Sequence, residues 1–419
     1  MPATEQTSVA FAALRHRDFR GFFAGTMLSM MADNIEHVIS YWVIFQIFHS
    51  PALLGFAVIS HWLPFLVFSW HFGALADRFD CRRVIQGSQL LFASVSLAWA
   101  ILIFTDSLEM WHAGVLLIGH GMAGAMWNPA RQLLIYEVVG PETLQSGVRL
   151  LATGRQLGVL LGPAIGGGLM LLLGPTLGLA VNALIYLPMI IWCQLVPYTG
   201  HAVERERKRQ DWRETFAALG GASSNRALIS MILLPGAFAF FVGSAFQAQM
   251  PGFAQALGTD NMGYGYTALL AANGAGAVVG GILLESGGML KARATTAIVL
   301  ALVWCLAMGA FAASSYYPLA LAFLFIAGIL NLAFLSMAQT LVQLNAPVNL
   351  RGRLIGLYNM SAQGLRTFSG VTVGILGSYI GIHLSLGLST AAILLITVVL
   401  LFLTTQSSNS PQENNAASL

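Results

Sequence analysis

A cluster of ionisable residues lies inside a long apolar stretch near the start of the chain. Residues 29–42 read SMMADNIEHVISYW and include Asp33, Glu36 and His37. No other Asp, Glu, Lys, Arg or His occurs between positions 21 and 48. Two carboxyls and an imidazole at this spacing can bind and release protons, form an ion pair, or recognise a cation.

Helical geometry places these side chains together and deep in the stretch. Asp33 and Glu36 are three residues apart and Asp33 and His37 four, so all three share one helical face. At 1.5 Å per residue, Asp33 lies roughly 18 Å from Gly21, near the middle of a bilayer. A charge there costs about 2.5–3.5 kcal/mol, and desolvation raises the pKa of a carboxyl. We predict proton exchange by Asp33 and Glu36, tuned by His37. An ion pair of Asp33 with Arg155 and recognition of a cationic substrate remain open.

The composition indicates a membrane protein. Charged residues make up 9% and hydrophobic residues 57% of the 419 residues, whereas soluble domains have about 25% charged residues. The apolar stretches are continuous, which favours helices over a β-barrel. We predict an all-α integral membrane protein with twelve transmembrane helices, at residues 20–48, 52–74, 85–104, 111–136, 146–173, 176–197, 227–250, 264–285, 294–314, 317–343, 354–376 and 382–403.

The most polar connection divides these spans into two groups of six. The predicted parts are a cytoplasmic segment 1–19, a six-helix bundle 20–197, a cytoplasmic linker 198–226, a second bundle 227–403, and a disordered tail 404–419. Lys and Arg occur in the first segment, in the linker, and in the loops after spans 2, 8 and 10, but not after odd-numbered spans. The positive-inside rule therefore places both termini in the cytoplasm.

The two halves match at a constant offset of 208 residues. The matched pairs are Gly73 with Gly281, Asp77 with Glu285, Ala130 with Ala338, Gly162 with Gly370, and Gly166 with Gly374. Parallel duplication of a six-span unit is a transporter pattern, with the substrate site near the midplane where the repeats meet.

The end of span 2 resembles motif A of the major facilitator superfamily. It reads GALADRFDCRRVI, and the matching positions include Gly73, Asp77, Arg78 and Arg82, with Glu285 as the acid in the second half. Glycine would let two helices approach closely, and an acid at a helix end would accept hydrogen bonds and pair with arginine. The resemblance implies a cytoplasmic latch that stabilises the outward-facing state.

Two residues depart from that motif. Asp80 stands where the family usually has glycine, and Cys81 stands where it usually has a basic residue. The arginine that completes the charge cluster is therefore open between Arg78 and Arg82, with Glu137 as a possible acidic partner.

Span 5 resembles motif C, the antiporter signature of the same superfamily. The sequence GVLLGPAIGG supplies the motif residues Gly158, Gly162, Pro163, Gly166 and Gly167. Small residues allow tight helix packing, and proline favours a bend. In the family this motif accompanies exporters. The end of span 4, NPARQLLIYEVVGPETLQSG, and the stretch between spans 10 and 11, NAPVNLRGRLIGLY, resemble a bacterial branch of the superfamily that includes enterobactin-type siderophore exporters and macrolide efflux pumps. The resemblance extends from about residue 11 to 403.

The same resemblance implies that spans 1, 4, 7 and 10 line a central cavity. Two arginines lie deep: Arg155 about 12 Å from Gly147 and Arg366 about 19 Å from Arg353. They are candidates for contact with an anionic substrate or for ion pairs. Polar residues on the cavity helices either contact substrate or satisfy neighbouring helices; they are Trp127, Asn128, Gln247, Asn331 and Gln339.

The function expected from these observations is proton-driven export. A multi-pass protein of the bacterial inner membrane would move small amphiphilic, drug-like or siderophore-like molecules by alternating access, as a monomer. Its partners would be that substrate, protons and the bilayer, without nucleic acid. Alternatives are a proton-coupled importer of a small metabolite and a non-transporting receptor on the same fold. No nucleophile with a base, no P-loop and no metal-ligand spacing occurs, so no enzyme activity, cofactor or metal is expected.

Overall fold

The computed structural model describes residues 11–200, 225–259, 263–287, 293–346, 354 and 357–408. These residues are almost all helical, and no strand occurs among them. Most of the predicted linker, the end of the tail and the first ten residues lie outside this description.

The chain divides into two compact units. The first comprises Met1–Phe48 with Leu63–Glu206, and the second comprises His49–Trp62 with Arg207–Leu419. Residues 49–62 therefore group with the second unit, not with the bundle to which the sequence assigned them. The reason is close packing within that unit: a Cβ on Gly55 would lie 2.9 Å from the Cα of Gly374.

The first unit is built around one long helix. A 3-10 turn, Ala12–Arg15, precedes the helices, which are α1 Arg17–Phe48, α2 Pro51–Val67, α3 Ser69–Arg78, α4 Cys81–Phe104, α5 Met110–Ile185 and α6 Leu187–Leu195. Only the end of α2 belongs to this unit. Helices α1 and α4 pack mainly against α5.

Helix α5 contains three helical segments separated by glycine. Gly140 has φ 70° and ψ 170°, and Gly174 has φ 77° and ψ 168°. Only glycine adopts this conformation without strain, and a proline follows each glycine. The segments 110–139, 141–173 and 175–185 correspond to predicted spans 4 and 5 and the start of span 6.

The second unit contains the remaining helices. They are α7 Arg226–Phe241, α8 Ala245–Ala248, α9 Met250–Ala256, α10 Tyr264–Gly287, α11 Ala294–Ala313, α12 Tyr317–Asn345, α13 Arg366–Ser369, α14 Leu376–Ile380 and α15 Ile382–Ser408. Span 11 also contains two π-helical segments, Met360–Gly364 and Gly370–Ile375. Predicted span 7 is not one helix, because the chain turns at residues 242–244.

Six stretches of the described residues are long and apolar enough to cross a membrane. They are Cys81–Phe104, Glu142–Leu195, Arg226–Ala248, Ala294–Ala313, Tyr317–Asn345 and Ile382–Thr405. Helix α1 has 32 residues but is not among them, since its polar residues lower its hydropathy.

Candidate functional site

The structure brings the acids of α1 into contact with a histidine of α5. His120 Nε2 lies 2.7 Å from Asp33 Oδ1, and His120 Nδ1 lies 2.7 Å from Glu36 Oε1. The first contact is a hydrogen bond whose donor depends on the imidazole tautomer, and the second is an ion pair when the imidazole is charged. His37 Nδ1 lies 4.0 Å from Asp33 Oδ2, and its ring meets the His120 ring edge-on. We call Asp33, Glu36, His37 and His120 the carboxylate–histidine cluster.

The two carboxylates are held differently. The second oxygen of Glu36 accepts a hydrogen bond from the Ser96 hydroxyl of α4, and Asn182 Nδ2 donates to Ser96 Oγ at 3.0 Å. The second oxygen of Asp33 lies 3.5 Å from Asn34 Nδ2. Glu36 is 2% exposed and Asp33 7%. Glu36 is therefore the more firmly anchored acid.

The two short contacts of His120 set a minimum number of protons in the cluster. A neutral imidazole has one N–H and one lone pair. An unprotonated nitrogen 2.7 Å from a carboxylate oxygen would be repelled, so both contacts are favourable only when the imidazole and the two acids share two protons. Either an imidazolium lies between two carboxylates, or a neutral imidazole lies beside one protonated acid. Loss of one proton would weaken the contact between α1 and α5.

The glycines of the motif C stretch set the distance between these helices. A Cβ on Gly158 would lie 2.7 Å from Met27 O, and one on Gly166 would lie 3.0 Å from Ile35 Cα. A Cβ on Gly162 would overlap the next turn of α1. Small residues on the middle segment of α5 therefore position the α1 turns that carry the cluster. Of the other motif residues, Gly167 is buried, and the helix continues through Pro163.

The motif A region forms a charged cap on α4. The backbone N–H of Arg82 donates to Asp80 Oδ1 at 2.9 Å, and Arg82 Nη2 pairs with Asp80 Oδ2 at 2.7 Å. Arg82 also donates to the carbonyl of Val196. Glu137 Oε2 accepts from the backbone N–H of Thr199 at 2.9 Å. The residue that departs from the motif, Asp80, thus becomes the helix cap and the partner of Arg82.

Other motif A residues contribute less to the described geometry. Arg78 is exposed at the end of α3. The side chains of Asp77 and Glu285 lie outside the described residues. Within the described part of the chain, no atom lies within 4 Å of a Cβ built on Gly73, and the close helix approach expected there stays a prediction.

The remaining candidates of the first unit surround two arginines. Arg155 is half-buried and within electrostatic range of Asp33, but no salt bridge joins them within 4.0 Å in the described residues. Trp127 is buried and lies beneath the Arg131 guanidinium, 5.1 Å from the ring centre. Asn128 Oδ1 accepts from Arg131 Nη2 at 3.1 Å.

The candidates of the second unit are only partly brought together. Arg366 and Asn331 line the same cavity. Gln247 is half-buried in α8, and Gln339 is exposed on α12.

The cluster also has a spacing that a metal ion could use. Ligand atoms of Asp33, His37 and His120 lie within 4.8 Å of one another. A zinc ion would lie about 2.0–2.2 Å from each ligand atom, which needs more room than the direct 2.7 Å contact between Asp33 and His120 leaves. The geometry fits a hydrogen-bonded cluster better than a metal site.

The chain matches the profile of a protein family described as transmembrane secretion effector over residues 8–418. Macrolide efflux protein A of Streptococcus pyogenes is 22% identical over 147 residues, 35% of this chain and 36% of that protein. Putative multidrug resistance protein MdtD of Klebsiella pneumoniae is 32% identical over 118 residues, 28% of this chain and 24% of that protein. The matches therefore cover about a third and a quarter of these relatives.

Solved transporter structures share the fold over nearly the whole chain. A bacterial homologue of the human lysosomal transporter Spinster, inward-facing and unoccupied, superposes with a TM-score of 0.72 at 13% identity, covering 95% of this chain and 98% of that one. A D-xylose–proton symporter superposes with a TM-score of 0.63 at 14% identity, covering 93% and 97%. At these identities the likeness concerns the fold alone.

Replacing Gly162 with alanine should separate α1 from α5. The new Cβ would overlap α1, and overpacking of this kind costs about 1–3 kcal/mol. The measurement is the thermal unfolding midpoint of purified protein in detergent, followed by tryptophan fluorescence. The matched control is Gly168→Ala on the same segment, where no described atom lies within 4 Å of the Cβ position. Equal midpoints for both variants would contradict the packing argument.

Replacing Asp80 with asparagine should remove a pH-dependent part of the stability. Partial burial raises the pKa of Asp80, but the hydrogen bonds and charge of Arg82 outweigh it and lower that pKa below its usual value. An acid whose pKa is lower in the folded than in the unfolded protein contributes folding stability above the unfolded pKa of about 3.9. That contribution is lost as the pH falls through the folded-state pKa. Wild type should therefore unfold at a higher temperature than the variant at pH 7, and the difference should shrink as the pH falls below about 3.9.

The Asp80→Asn variant keeps a side-chain oxygen that can cap α4, so the comparison isolates the charge. Asp106→Asn, in an exposed turn, is the control and should shift neither curve. A difference between wild type and Asp80→Asn that persists unchanged at pH 3 would show that the charge is not the cause.

Proposed function

The chain belongs to the transmembrane secretion effector family of the major facilitator superfamily, and we propose that it exports small amphiphilic organic molecules across a bacterial inner membrane in exchange for protons. It is a multi-pass transporter with the twelve-helix fold of that superfamily, and not an enzyme. Export is supported by the efflux and drug-resistance names of its relatives and by the motif C glycines that pack against α1.

Proton coupling is supported by one observation, the His120 imidazole between two buried carboxyls. Because the cluster needs at least two protons to keep both contacts, proton loss and gain change how tightly α1 and α5 meet. Asp33 is the exchanging carboxyl, since it is the less enclosed acid. Glu36 anchors the imidazole through Ser96, and His37 tunes the field at Asp33 from 4.0 Å.

In the proposed cycle, the cluster takes up a proton from the outside and releases it to the cytoplasm after substrate has left. No covalent bond changes, and the proton moves only between water, the carboxyls and the imidazole. Arg155 is the nearby cation, within electrostatic range of Asp33. A charged Asp33 attracts it and a protonated Asp33 does not, so the proton also changes the force between α1 and the motif C segment.

The remaining sequence expectations enter the proposal in supporting roles. Both termini lie in the cytoplasm, and the Asp80–Arg82 cap then lies at the cytoplasmic end of α4. Substrate moves by alternating access of the two halves of a monomer. Candidate substrate contacts are Trp127, Asn128 and Arg155 in the first unit and Gln247, Asn331, Gln339 and Arg366 in the second.

Gradient-driven export should require Asp33, Glu36 and His120. The assay uses everted membrane vesicles with an imposed proton gradient and a panel of cationic dyes, macrolides, and catecholate and carboxylate siderophores. We expect Asp33→Asn, Glu36→Gln and His120→Gln to lower gradient-driven accumulation at least about tenfold, as loss of a positioned acid–base group does in other proton-transfer sites. Asp33→Asn should retain exchange of substrate without a gradient, which a misfolded protein would not.

The matched control is His383→Gln. His383 is the described membrane histidine of the second unit whose ring nitrogen bonds a backbone carbonyl, that of Ala312, at 2.7 Å, and its loss should leave coupling intact. Wild-type accumulation by Asp33→Asn and His120→Gln would refute proton coupling at the cluster. Accumulation in right-side-out vesicles instead would indicate the importer, and no movement of any compound by wild type would favour the receptor.

A further inference from the structure

Predicted span 7 is interrupted within its apolar stretch. Helix α7 ends at Phe241 and α8 begins at Ala245, both inside the stretch Arg226–Ala248. Gly243 lies between them with φ 44°. A Cβ on Gly243 would lie 2.5 Å from Ser369 Oγ. The turn therefore requires glycine, and it removes backbone groups from regular helical bonding at membrane depth.

Side chains of span 11 satisfy this turn. Thr372 Oγ1 donates to the carbonyl of Phe241 at 2.7 Å. Arg366 Nη1 donates to Ser244 Oγ, and Arg366 Nε donates to the carbonyl of Ala362, both at 3.2 Å. Non-helical backbone at membrane depth is tolerated where it is buried in protein or lines a cavity, and π-helical segments such as the two beside Arg366 occur frequently at functional sites.

A cavity adjoins the turn within the second unit. Its apolar walls include Phe238, Phe246, Trp304 and Leu335. Its polar groups include the amide of Asn331 and the guanidinium of Arg366. Its volume is ≈ 40 Å³, enough for a few water-sized groups and too small for a drug-sized molecule. The Arg366 guanidinium lies over the Trp62 ring, 5.1 Å from its centre, which fixes the plane of the cation.

The charge of this half favours an anion. Asp260 and Glu285 are the only acidic residues between positions 227 and 403. The basic residues of the same stretch are Lys291, Arg293, Arg351, Arg353 and Arg366. Arg366 is the deepest of them by sequence position. The first unit differs in that it carries acidic residues at membrane depth, in α1.

We propose that this cavity receives the charged end of the transported molecule, which makes the substrate an amphiphilic organic anion with a carboxylate, sulfonate or phosphate on an aromatic or apolar body. The assignment rests on the proposed transport function. The guanidinium supplies a permanent positive charge and N–H donors for the oxygens of such a group, the aromatic walls contact the adjoining body, and Asn331 adds a donor and an acceptor. This choice excludes the cationic substrates that the α1 acids alone would suggest.

Equilibrium binding of two matched dyes tests the subsite. Full-length protein in lipid nanodiscs at pH 7.5, without a gradient, is titrated against fluorescein, an anion, and rhodamine 123, a cation with the same three-ring core. Fluorescence anisotropy reports each dissociation constant. We expect wild type to bind fluorescein at least about tenfold more tightly. Arg366→Gln should weaken fluorescein binding by about tenfold and change rhodamine 123 binding less than about twofold.

Two further variants separate recognition from structure. Arg366→Lys keeps the charge without the planar fork, and it should lose part of the fluorescein affinity while retaining the preference for the anion. Arg293→Gln removes an exposed cation from the same unit and should leave the preference unchanged. Equal weakening of both dyes in Arg366→Gln, wild-type fluorescein binding by that variant, or no anion preference in wild type would each overturn the proposal.

The binding assay also separates this inference from the proposed function. Asp33→Asn should keep the preference for fluorescein over rhodamine 123, because that preference depends on Arg366 and binding here needs no proton gradient. Anion-selective binding that depends on Arg366, in a protein that moves nothing, would contradict proton-driven export and leave the anion subsite standing. Proton-driven export by a protein with no anion preference would contradict the anion subsite and leave the proposed export function standing.

Discussion

The contact of one imidazole with two carboxyl groups is the constraint on which the first unit depends. His120 approaches Asp33 and Glu36 at 2.7 Å each, in a segment where a charge without a partner costs several kcal/mol. The contact is stable only while the cluster holds enough protons, so a single proton decides whether α1 and α5 attract each other there. Under the proposed function, a change in protonation there alters the packing of α1 against α5, which is what coupling of transport to protons requires.

The glycines of α5 make that contact sensitive. Cores transmit small displacements because they are close-packed, and at Gly158, Gly162 and Gly166 even one methyl group would meet α1. A looser interface could absorb a proton-dependent shift in side-chain conformations. The close-packed interface between α1 and α5 cannot absorb such a shift. A change in side-chain conformation there must therefore displace one of the two helices or be prevented by their packing. The motif C glycines and the acids of α1 therefore meet at the same helix contact, although more than a hundred residues separate them in sequence.

Sequence reasoning found the acids, the glycine face and the class of fold, because hydropathy and helical spacing act locally. His120 is not among the site residues predicted from the sequence, yet depth could have matched it to Asp33. Asp33 lies roughly 18 Å from one end of span 1 and His120 roughly 14 Å from the opposite end of span 4, which together equal a bilayer of about 30 Å. The turn at Gly243 could not be predicted, since Pro235 is the residue of span 7 that normally breaks a helix, and α7 continues through it.

The two halves share one fold but carry different polar residues at corresponding positions. At the offset of 208, Asp33 corresponds to Phe241, the residue at which α7 ends. In one half this position carries a titratable group on a continuous helix, and in the other it precedes a turn that span 11 must satisfy with Thr372 and Arg366. A helix kept regular can hold an acid at a fixed distance from its partner, whereas the turn in the second half places the Ser244 hydroxyl against the Arg366 guanidinium. Under the proposed function, the first half binds the proton and the second half binds the anion, so the two exchanged cargoes have separate sites in the two halves.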